Sequence, residues 1–176
     1  MTEGNVFSNE IEVNYSDLTT ISEKRVDLRS NTTVEYFTNN GKNFVHLFNK
    51  DKKLDKDYKT SEKNIYSRYA YFFAFSGFPF ETEKSVTFKS YMFEYGDALP
   101  MKVTNLGRQK VTVKAGTFEC YKLELSVAGW QSVFARDKYS LYYAVASPHH
   151  FVKYEETESG GKLNTNELIR ITKMQK

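Results

Sequence analysis

The sequence has few residues of the types that support catalysis, disulfide bonding or a membrane span. Among 176 residues there are one cysteine, three histidines and three prolines. The single cysteine, Cys120, excludes an intramolecular disulfide. The longest apolar run, residues 69–80, is interrupted by Ser76, Gly77 and Pro79 and is too short to cross a bilayer as a helix. We therefore expect no transmembrane segment.

Charge of one sign is also lacking. The net charge is +3, and basic and acidic residues alternate even in the densest charged run, residues 51–63. A nucleic-acid partner normally requires a one-signed face, so nucleic-acid binding is disfavoured and the run is interpreted as a solvated loop. The first ten residues carry neither a basic start nor an apolar stretch, and so no signal peptide. The chain is then either cytosolic or a mature fragment of an exported protein.

Aromatic residues are abundant instead. The chain has 13 Tyr, 14 Phe and 1 Trp, or 16 % of its residues. Flat rings fill a pleated, half-buried surface well, and alternation with a period of two recurs along the chain. The sequence predicts one β domain over residues 1–176 with no internal boundary, either a sandwich or a barrel. The strongest hairpin signals lie at residues 39–42, at Ala115-Gly116 and at residues 159–162.

One segment has helical rather than strand periodicity. In residues 64–75 the side chains of Ile65, Tyr69, Phe72 and Phe73 fall on one stripe of a helix. Ser76-Gly77 would end that helix. A buried aromatic strand is the alternative for this segment.

Candidate catalytic groups are sparse. His149 and His150 are adjacent, and neighbouring residues of a strand point to opposite faces, so the two do not readily chelate one metal. His46 alternates with phenylalanines, and Cys120 has no adjacent cation to lower its pKa. We expect no catalytic residue, no metal site and no cofactor.

The many aromatic residues have two possible interpretations. The rings either fill a closed core or line a concave sheet that holds an acyl chain or another apolar ligand. The richest cluster, which is also able to plug or cover a barrel mouth, is the candidate ligand site: Tyr69, Phe72, Phe73, Phe75, Phe78 and Phe80.

Two stretches of the second half resemble a known family. Ala115-Gly116-Thr117-Phe118 forms a turn between two alternating strands, and residues 148–155 read Pro-His-His-Phe-Val-Lys-Tyr-Glu. Together they resemble the bacterial cell-envelope family called domain of unknown function 3108, over residues 78–171. Residues 1–63 carry no motif that can be aligned with it. Lys114 stands where members often have proline.

The resemblance implies an antiparallel, open or half-open β-barrel like the periplasmic lipoprotein carriers, and the helical pattern of residues 64–75 adds one helix packed at its mouth. It implies export to the periplasm or association with the outer membrane, and no catalytic residues. The leading hypothesis is a non-catalytic envelope protein that binds a lipid or a lipidated protein. The alternatives are a structural or protein-interaction domain with a filled core and, least favoured, a hydrolase or metal enzyme. The sequence leaves the oligomeric state open.

Overall fold

The computed structural model describes residues 7–15, 18–28, 31–39, 42–49, 54–60, 65–67, 70–92, 97–129, 138–157 and 161–171. Its contacts group into two compact units. Unit 1 comprises Met1–Tyr71 and Lys89–Leu99, and unit 2 comprises Phe72–Phe88 and Pro100–Lys176. The prediction of a single domain over residues 1–176 stays a prediction.

Unit 1 is built on a five-stranded antiparallel sheet in which every strand pairs with its neighbour in sequence. The predicted turn at residues 39–42 is confirmed, because Asn39 pairs with Lys42 across it. The strands are β1 (Phe7–Val13), β2 (Thr20–Asp27), β3 (Thr32–Asn39), β4 (Lys42–Asn49) and β5 (Leu54–Thr60).

The two faces of this sheet differ in burial. Val34 and Tyr36 of β3 are buried, whereas Phe37, which points to the other face, is exposed. Phe37 stacks on Phe44 of β4 with ring centroids 5.5 Å apart. His46 follows Phe44 on the same face, as the alternation predicted.

The interpretation of the charged run, residues 51–63, as a loop is wrong for residues 54–60, and the rest of the run lies outside the described residues. Residues 54–60 form β5, the edge strand of the sheet, and pair with residues 43–49. Charged side chains on an edge strand oppose pairing with a second molecule. A dense mixture of charges is therefore compatible with a strand in that position.

The second sheet has seven strands in the order β12-β11-β10-β9-β8-β7-β6. The pairs from β8 to β12 are antiparallel, and β6 pairs with β7 in parallel. Strands β7 and β8 each begin in one unit and end in the other. The strands are β6 (Ile65–Tyr66), β7 (Ser85–Met92), β8 (Asp97–Val113), β9 (Gly116–Val127), β10 (Lys138–Ala144), β11 (Phe151–Thr157) and β12 (Leu163–Glu167).

The core of unit 2 lies on one face of this sheet, against residues 72–80, here called the aromatic segment. Phe80 contacts Tyr143 of β10, with ring centroids 6.1 Å apart, and Phe72 meets the ring of Tyr154 at 5.5 Å. The largest fully buried side chains on this face belong to Met101, Val103, Leu123, Leu141 and Tyr143.

A second cluster lies on the opposite face. Cys120 is buried there, and burial raises the pKa of its thiol to about 11. Phe118, Ala115 and Leu168 pack around the cluster. Its buried members are Val111, Val113, Cys120, Tyr142, Ala144 and Val152.

The predicted turns of the second half are confirmed. Val113 pairs with Gly116 across the β8–β9 turn, and Thr157 pairs with Leu163 across the last hairpin. Gly116 has φ +131°, a backbone conformation that residues with a side chain rarely adopt. This is the physical reason for glycine in the Ala-Gly-Thr-Phe turn.

The helix is much shorter than the pattern predicted. Helix α1 covers Tyr71–Ala74, and one 3₁₀ turn, Phe75–Gly77, follows it. Ile65, which was placed on the helical stripe, lies in β6 instead. The predicted end at Ser76-Gly77 is confirmed.

The described residues thus form a mainly β fold, with antiparallel sheets and one short helix, as the sequence predicts. The half-open barrel stays a prediction.

Candidate functional site

An open cleft of about 470 Å³ lies in unit 2, between the end of the aromatic segment, the middle of β8 and β9, and the turn that joins β10 to β11. This volume is within the range of small-molecule sites. The lining residues are Phe78, Pro79, Phe80, Glu81, Thr82, Arg108, Tyr121, Val145 and His149.

Four rings form the apolar wall of the cleft. Phe80 stacks on Tyr121, with centroids 4.2 Å apart and planes within 10°. Phe78 lies 5.3 Å from Phe80. The His149 ring meets Phe80 edge-on at 5.2 Å and Tyr121 at 5.8 Å. Edge-to-face and stacked pairs of this kind stabilise a packed arrangement beyond the area that they bury.

A polar group closes one side of the cleft. Arg108 Nη2 donates to Glu81 Oε1 at 2.5 Å and to the Tyr121 hydroxyl at 3.0 Å. The Tyr121 hydroxyl also donates to Glu81 Oε1. The Arg108 guanidinium lies 5.0 Å from the centroid of the Tyr121 ring, which is within cation–π range.

The electrostatics follow from these contacts. The hydrogen bonds from Tyr121 and Arg108 lower the pKa of the Glu81 carboxyl. The same bond to Glu81 raises the pKa of the Tyr121 hydroxyl, and Glu81 raises the pKa of Arg108. All three groups therefore keep their ordinary neutral-pH forms, with an ionised carboxylate, a protonated guanidinium and a neutral phenol.

A β-bulge in β8 brings Arg108 to the cleft. Asn105 pairs with Leu123 and Arg108 with Tyr121, so two residues of β8 lie opposite one residue of β9. In a regular ladder Gly107 would face Tyr121 instead. Gly107 has φ +95°, and its N–H donates to Asn105 Oδ1 at 2.9 Å.

The same bulge is tied to the aromatic segment. Asn105 Nδ2 donates to the Phe80 carbonyl at 2.9 Å, and the Asn105 N–H donates to the Lys84 carbonyl at 2.9 Å. The backbone on either side of Glu81 is thereby anchored to β8.

The turn after β10 holds His149 against the rings. His149 has φ +33°, unusual for a residue with a side chain. Its N–H donates to the Ala146 carbonyl at 3.0 Å, and its Nδ1 lies 3.0 Å from the Ala144 carbonyl. A carbonyl only accepts, so Nδ1 is the donor in this contact. The comparison of His149 and His150 as neighbours on a strand is wrong, because β11 begins only at Phe151.

The structure separates the six aromatic residues of the predicted site. Phe78 and Phe80 line the cleft. Phe72 packs on Phe151 and Tyr154, and Phe75 meets Phe88 at 5.4 Å, so both rings fill the core. Phe73 is 68 % exposed. Tyr69 lies outside the described residues.

Sequence reasoning missed the polar half of the site. Glu81, Arg108, Tyr121 and His149 come from four separate parts of the chain, and no spacing rule links them. The one available signal was Gly107 inside a strand pattern, which is typical of a bulge.

A second polar cluster lies on the other face of the sheet. The Tyr142 hydroxyl donates to Glu155 Oε2 at 2.6 Å, and Lys153 Nζ lies 2.9 Å from Glu155 Oε1 and 3.9 Å from Glu167. Lys122 lies 5.6 Å from the Tyr142 ring. Despite partial burial, which acts to raise it, the pKa of the Glu155 carboxyl is lowered by the bonds from Tyr142 and Lys153. This carboxylate is held in its ionised form.

A buried carboxylate lies among the described residues of unit 1. Glu23 of β2 is 2 % exposed and lies between Ile11 and Tyr36 in the sheet register. No hydrogen bond of ordinary geometry reaches either of its oxygens from the described residues. Burial raises the pKa of this carboxyl, and the neighbouring Ser67 and Asn9 oppose that rise only in part.

Two further observations apply to the part of the chain that the structure describes. Its His, Cys, Asp and Glu side chains form no group of three or more that could hold a metal ion. None of its helices is long and apolar enough to cross a membrane.

Fold and site define a β-rich protein with an open aromatic cleft and the guanidinium of Arg108 at the rim of that cleft. The chain belongs to the protein family of unknown function DUF3108, whose profile matches residues 8–166. The match confirms the family predicted from the second half. It also extends through the N-terminal part, where sequence reasoning found no motif.

Two solved structures are similar to the chain over most of its length. One is a candidate lipoprotein from Parabacteroides distasonis, 13 % identical, with 90 % of this chain and 83 % of that chain covered and a TM-score of 0.29. The other is a candidate exported protein with a YmcC-like fold from Bacteroides fragilis, 13 % identical, with 95 % and 93 % covered and a TM-score of 0.30. No curated protein matches the chain.

Proposed function

We propose that this protein is a non-catalytic cell-envelope protein that binds an amphipathic ligand, such as a lipid or the acyl chain of a lipidated protein, in the cleft of unit 2. The observation that carries the proposal is the combination of four rings with one guanidinium around an open volume of about 470 Å³. Apolar lining with a few placed polar groups is typical of ligand sites.

The non-catalytic part of the proposal is supported by the state of the reactive groups. Burial holds the pKa of the Cys120 thiol at about 11, so the nucleophilic thiolate is scarce at neutral pH. Glu155 is engaged by Tyr142 and Lys153, and Glu81 by Arg108 and Tyr121. None of these groups has the perturbed pKa of a general base poised near neutrality.

The envelope location and the half-open barrel belong to the same proposal. The family resemblance implies both. Curvature of the second sheet is supported by two register shifts, one in β8 between Asn105 and Arg108 and one between Tyr142 and Tyr143 of β10. Bulges increase the local twist of a sheet and help it to curve.

The alternative is a protein-interaction domain with a filled core. It is favoured by the burial of Phe75 and by the contacts of Phe72 with Phe151 and Tyr154, since these rings occupy the apolar face of the sheet. The exposed ring of Phe73 would then be part of a protein contact rather than a ligand contact.

Native mass spectrometry of the purified chain, with displacement of a fluorescent fatty-acid probe, separates the two functions. Thr82 is exposed and lines the cleft, whereas Thr87 is exposed on β7 and does not line it. We expect Thr82→Trp to block the probe and Thr87→Trp to leave binding unchanged. A clean apo mass, with no probe bound by the wild-type chain, would refute the ligand-binding proposal.

A further inference from the structure

One carboxylate oxygen in the cleft receives two donors. Glu81 Oε1 accepts from Arg108 Nη2 and from the Tyr121 hydroxyl, and these two donors are themselves 3.0 Å apart. Converging donors of this kind, one of them a guanidinium, are the usual means of holding an anion.

The two donors are parts of the sheet. Tyr121 is only 4 % exposed, and its ring stacks on Phe80 at 4.2 Å and makes a T-shaped contact with His149 at 5.8 Å. Arg108 is aimed by the bulge that starts at Asn105. Tyr121 cannot leave without disturbing packed neighbours, whereas the Arg108 side chain is 48 % exposed and is held by its bonds and by its place at the bulge.

The acceptor, the Glu81 carboxylate, is placed differently from its two donors. Glu81 lies in the turn that follows Pro79, and its side chain is 68 % exposed. It can rotate into water without opening the core, because exposed side chains change rotamer on a fast timescale. The Glu81 carboxylate is therefore the most exposed member of the group, and the Tyr121 hydroxyl is the donor that the core holds in place.

We propose that Glu81 stands in the place of a ligand carboxylate, and that the cleft takes an amphipathic monocarboxylate whose head group displaces Glu81 from Arg108 and Tyr121. This inference rests on the proposed function and adds the head-group chemistry to it. The apolar part of such a ligand lies along Phe78, Pro79 and His149, which line the same cleft.

The exchange balances in charge. One ionised carboxylate leaves Arg108 and another arrives, so neither the guanidinium nor the Tyr121 hydroxyl changes its protonation state. Glu81 moves into solvent, to which most of its side chain is already exposed. The chain's own carboxylate thus competes with the ligand and reduces the affinity for it.

Isothermal titration of the full chain with dodecanoate, with its methyl ester and with dodecyl phosphate tests the exchange. Glu81→Gln keeps the shape and removes the competing charge, so dodecanoate should bind up to about fivefold more tightly. Arg108→Gln should weaken dodecanoate roughly tenfold or more. The ester should respond to neither change. Glu83→Gln, two residues away and also exposed, is the matched control.

Tyr121→Phe keeps the ring stack on Phe80 and removes the hydroxyl, so it should weaken dodecanoate by less than Arg108→Gln does. Equal binding of acid and ester, unchanged in Glu81→Gln and Arg108→Gln, would overturn the inference and leave the proposed function standing. Tighter binding of dodecyl phosphate than of dodecanoate would overturn the carboxylate assignment. No binding of any probe would overturn the proposed function itself.

Discussion

Phe80 lies flat on the ring of Tyr121, while the next residue, Glu81, accepts a hydrogen bond from the hydroxyl of the same tyrosine. Two consecutive residues of the chain therefore hold the ring and the hydroxyl of one side chain of β9. The apolar contact fixes the plane of the ring, and that plane fixes where the hydroxyl points. Packing of the core and the geometry of the polar group are coupled through these two contacts.

The aromatic segment offers a matched pair of truncations. Phe75 is 8 % exposed and Phe73 is 68 % exposed, two residues away. Phe75→Ala should destabilise the protein by about 3–5 kcal/mol, because it leaves a cavity in the core. Phe73→Ala should change the free energy of unfolding by less than about 0.5 kcal/mol. Urea denaturation of both variants measures the difference, and equal effects would contradict the assignment of Phe75 to the core.

Glu23 should make stability depend on pH. Burial raises the pKa of the Glu23 carboxyl in the folded state. Its contribution to the free energy of unfolding is therefore fully present below the unfolded-state pKa of about 4.3, and it is lost as the pH rises through the folded-state pKa. Glu23→Gln mimics the protonated form and should stabilise the protein at pH 7–8 by roughly 1–3 kcal/mol. The gain should vanish near pH 4.

Thermal melts across this pH range provide the measurement. Glu10→Gln, an exposed carboxylate on the neighbouring β1, is the control and should show no such dependence. A gain from Glu23→Gln that is the same at acid and neutral pH would argue against ionisation of the buried carboxyl as its cause.

Cys120 should be unreactive in the native protein. With a thiol pKa of about 11, its thiolate fraction at pH 8 is on the order of a hundredfold below that of an unfolded chain. Labelling with a disulfide reagent should therefore be slow in buffer and fast in denaturant. Rapid labelling of the folded chain would show that the cluster around Cys120 opens far more readily than its burial implies.

Gly107 should be required for the bulge. An added Cβ at this position meets no atom within 4 Å, so the cost of Gly107→Ala comes from φ +95° alone. We expect a loss of about 1–2 kcal/mol together with weaker binding of an anionic probe, since Arg108 follows directly. Gly77→Ala also meets open space without a positive φ and should be close to neutral. Circular dichroism melts and probe titration compare the two.

Local patterns predicted most of the fold. The alternation in residues 120–125 places Tyr121, Leu123 and Leu125 on one face of β9, and the structure buries all three. Short turns such as the one before Gly116 fix the register of their hairpins, because a backbone conformation reserved for glycine marks the position. These features depend on residues close together in the sequence, and so they can be read from it.

The predictions that failed concerned residues whose structure depends on contacts with distant parts of the chain. The aromatic pattern of residues 64–75 fits a helix, yet Ile65 pairs with Lys89 as a strand, a partner 24 residues away. At the site, Phe78 and Phe80 were predicted from composition. Glu81 and Arg108 were not, because they are 27 residues apart and meet only through a bulge. Periodicity assumes a regular ladder, and a one-residue irregularity reverses which side chains share a face.

The strand order bears on how the chain acquires its structure. In the five-stranded sheet and in the run from β7 to β12, each strand pairs with the strand before or after it in the sequence. Such a meander has a low contact order for a β protein, and the loops that must close are short. A chain that emerges gradually, from a ribosome or through a membrane channel, can therefore add each new strand to a partner already in place.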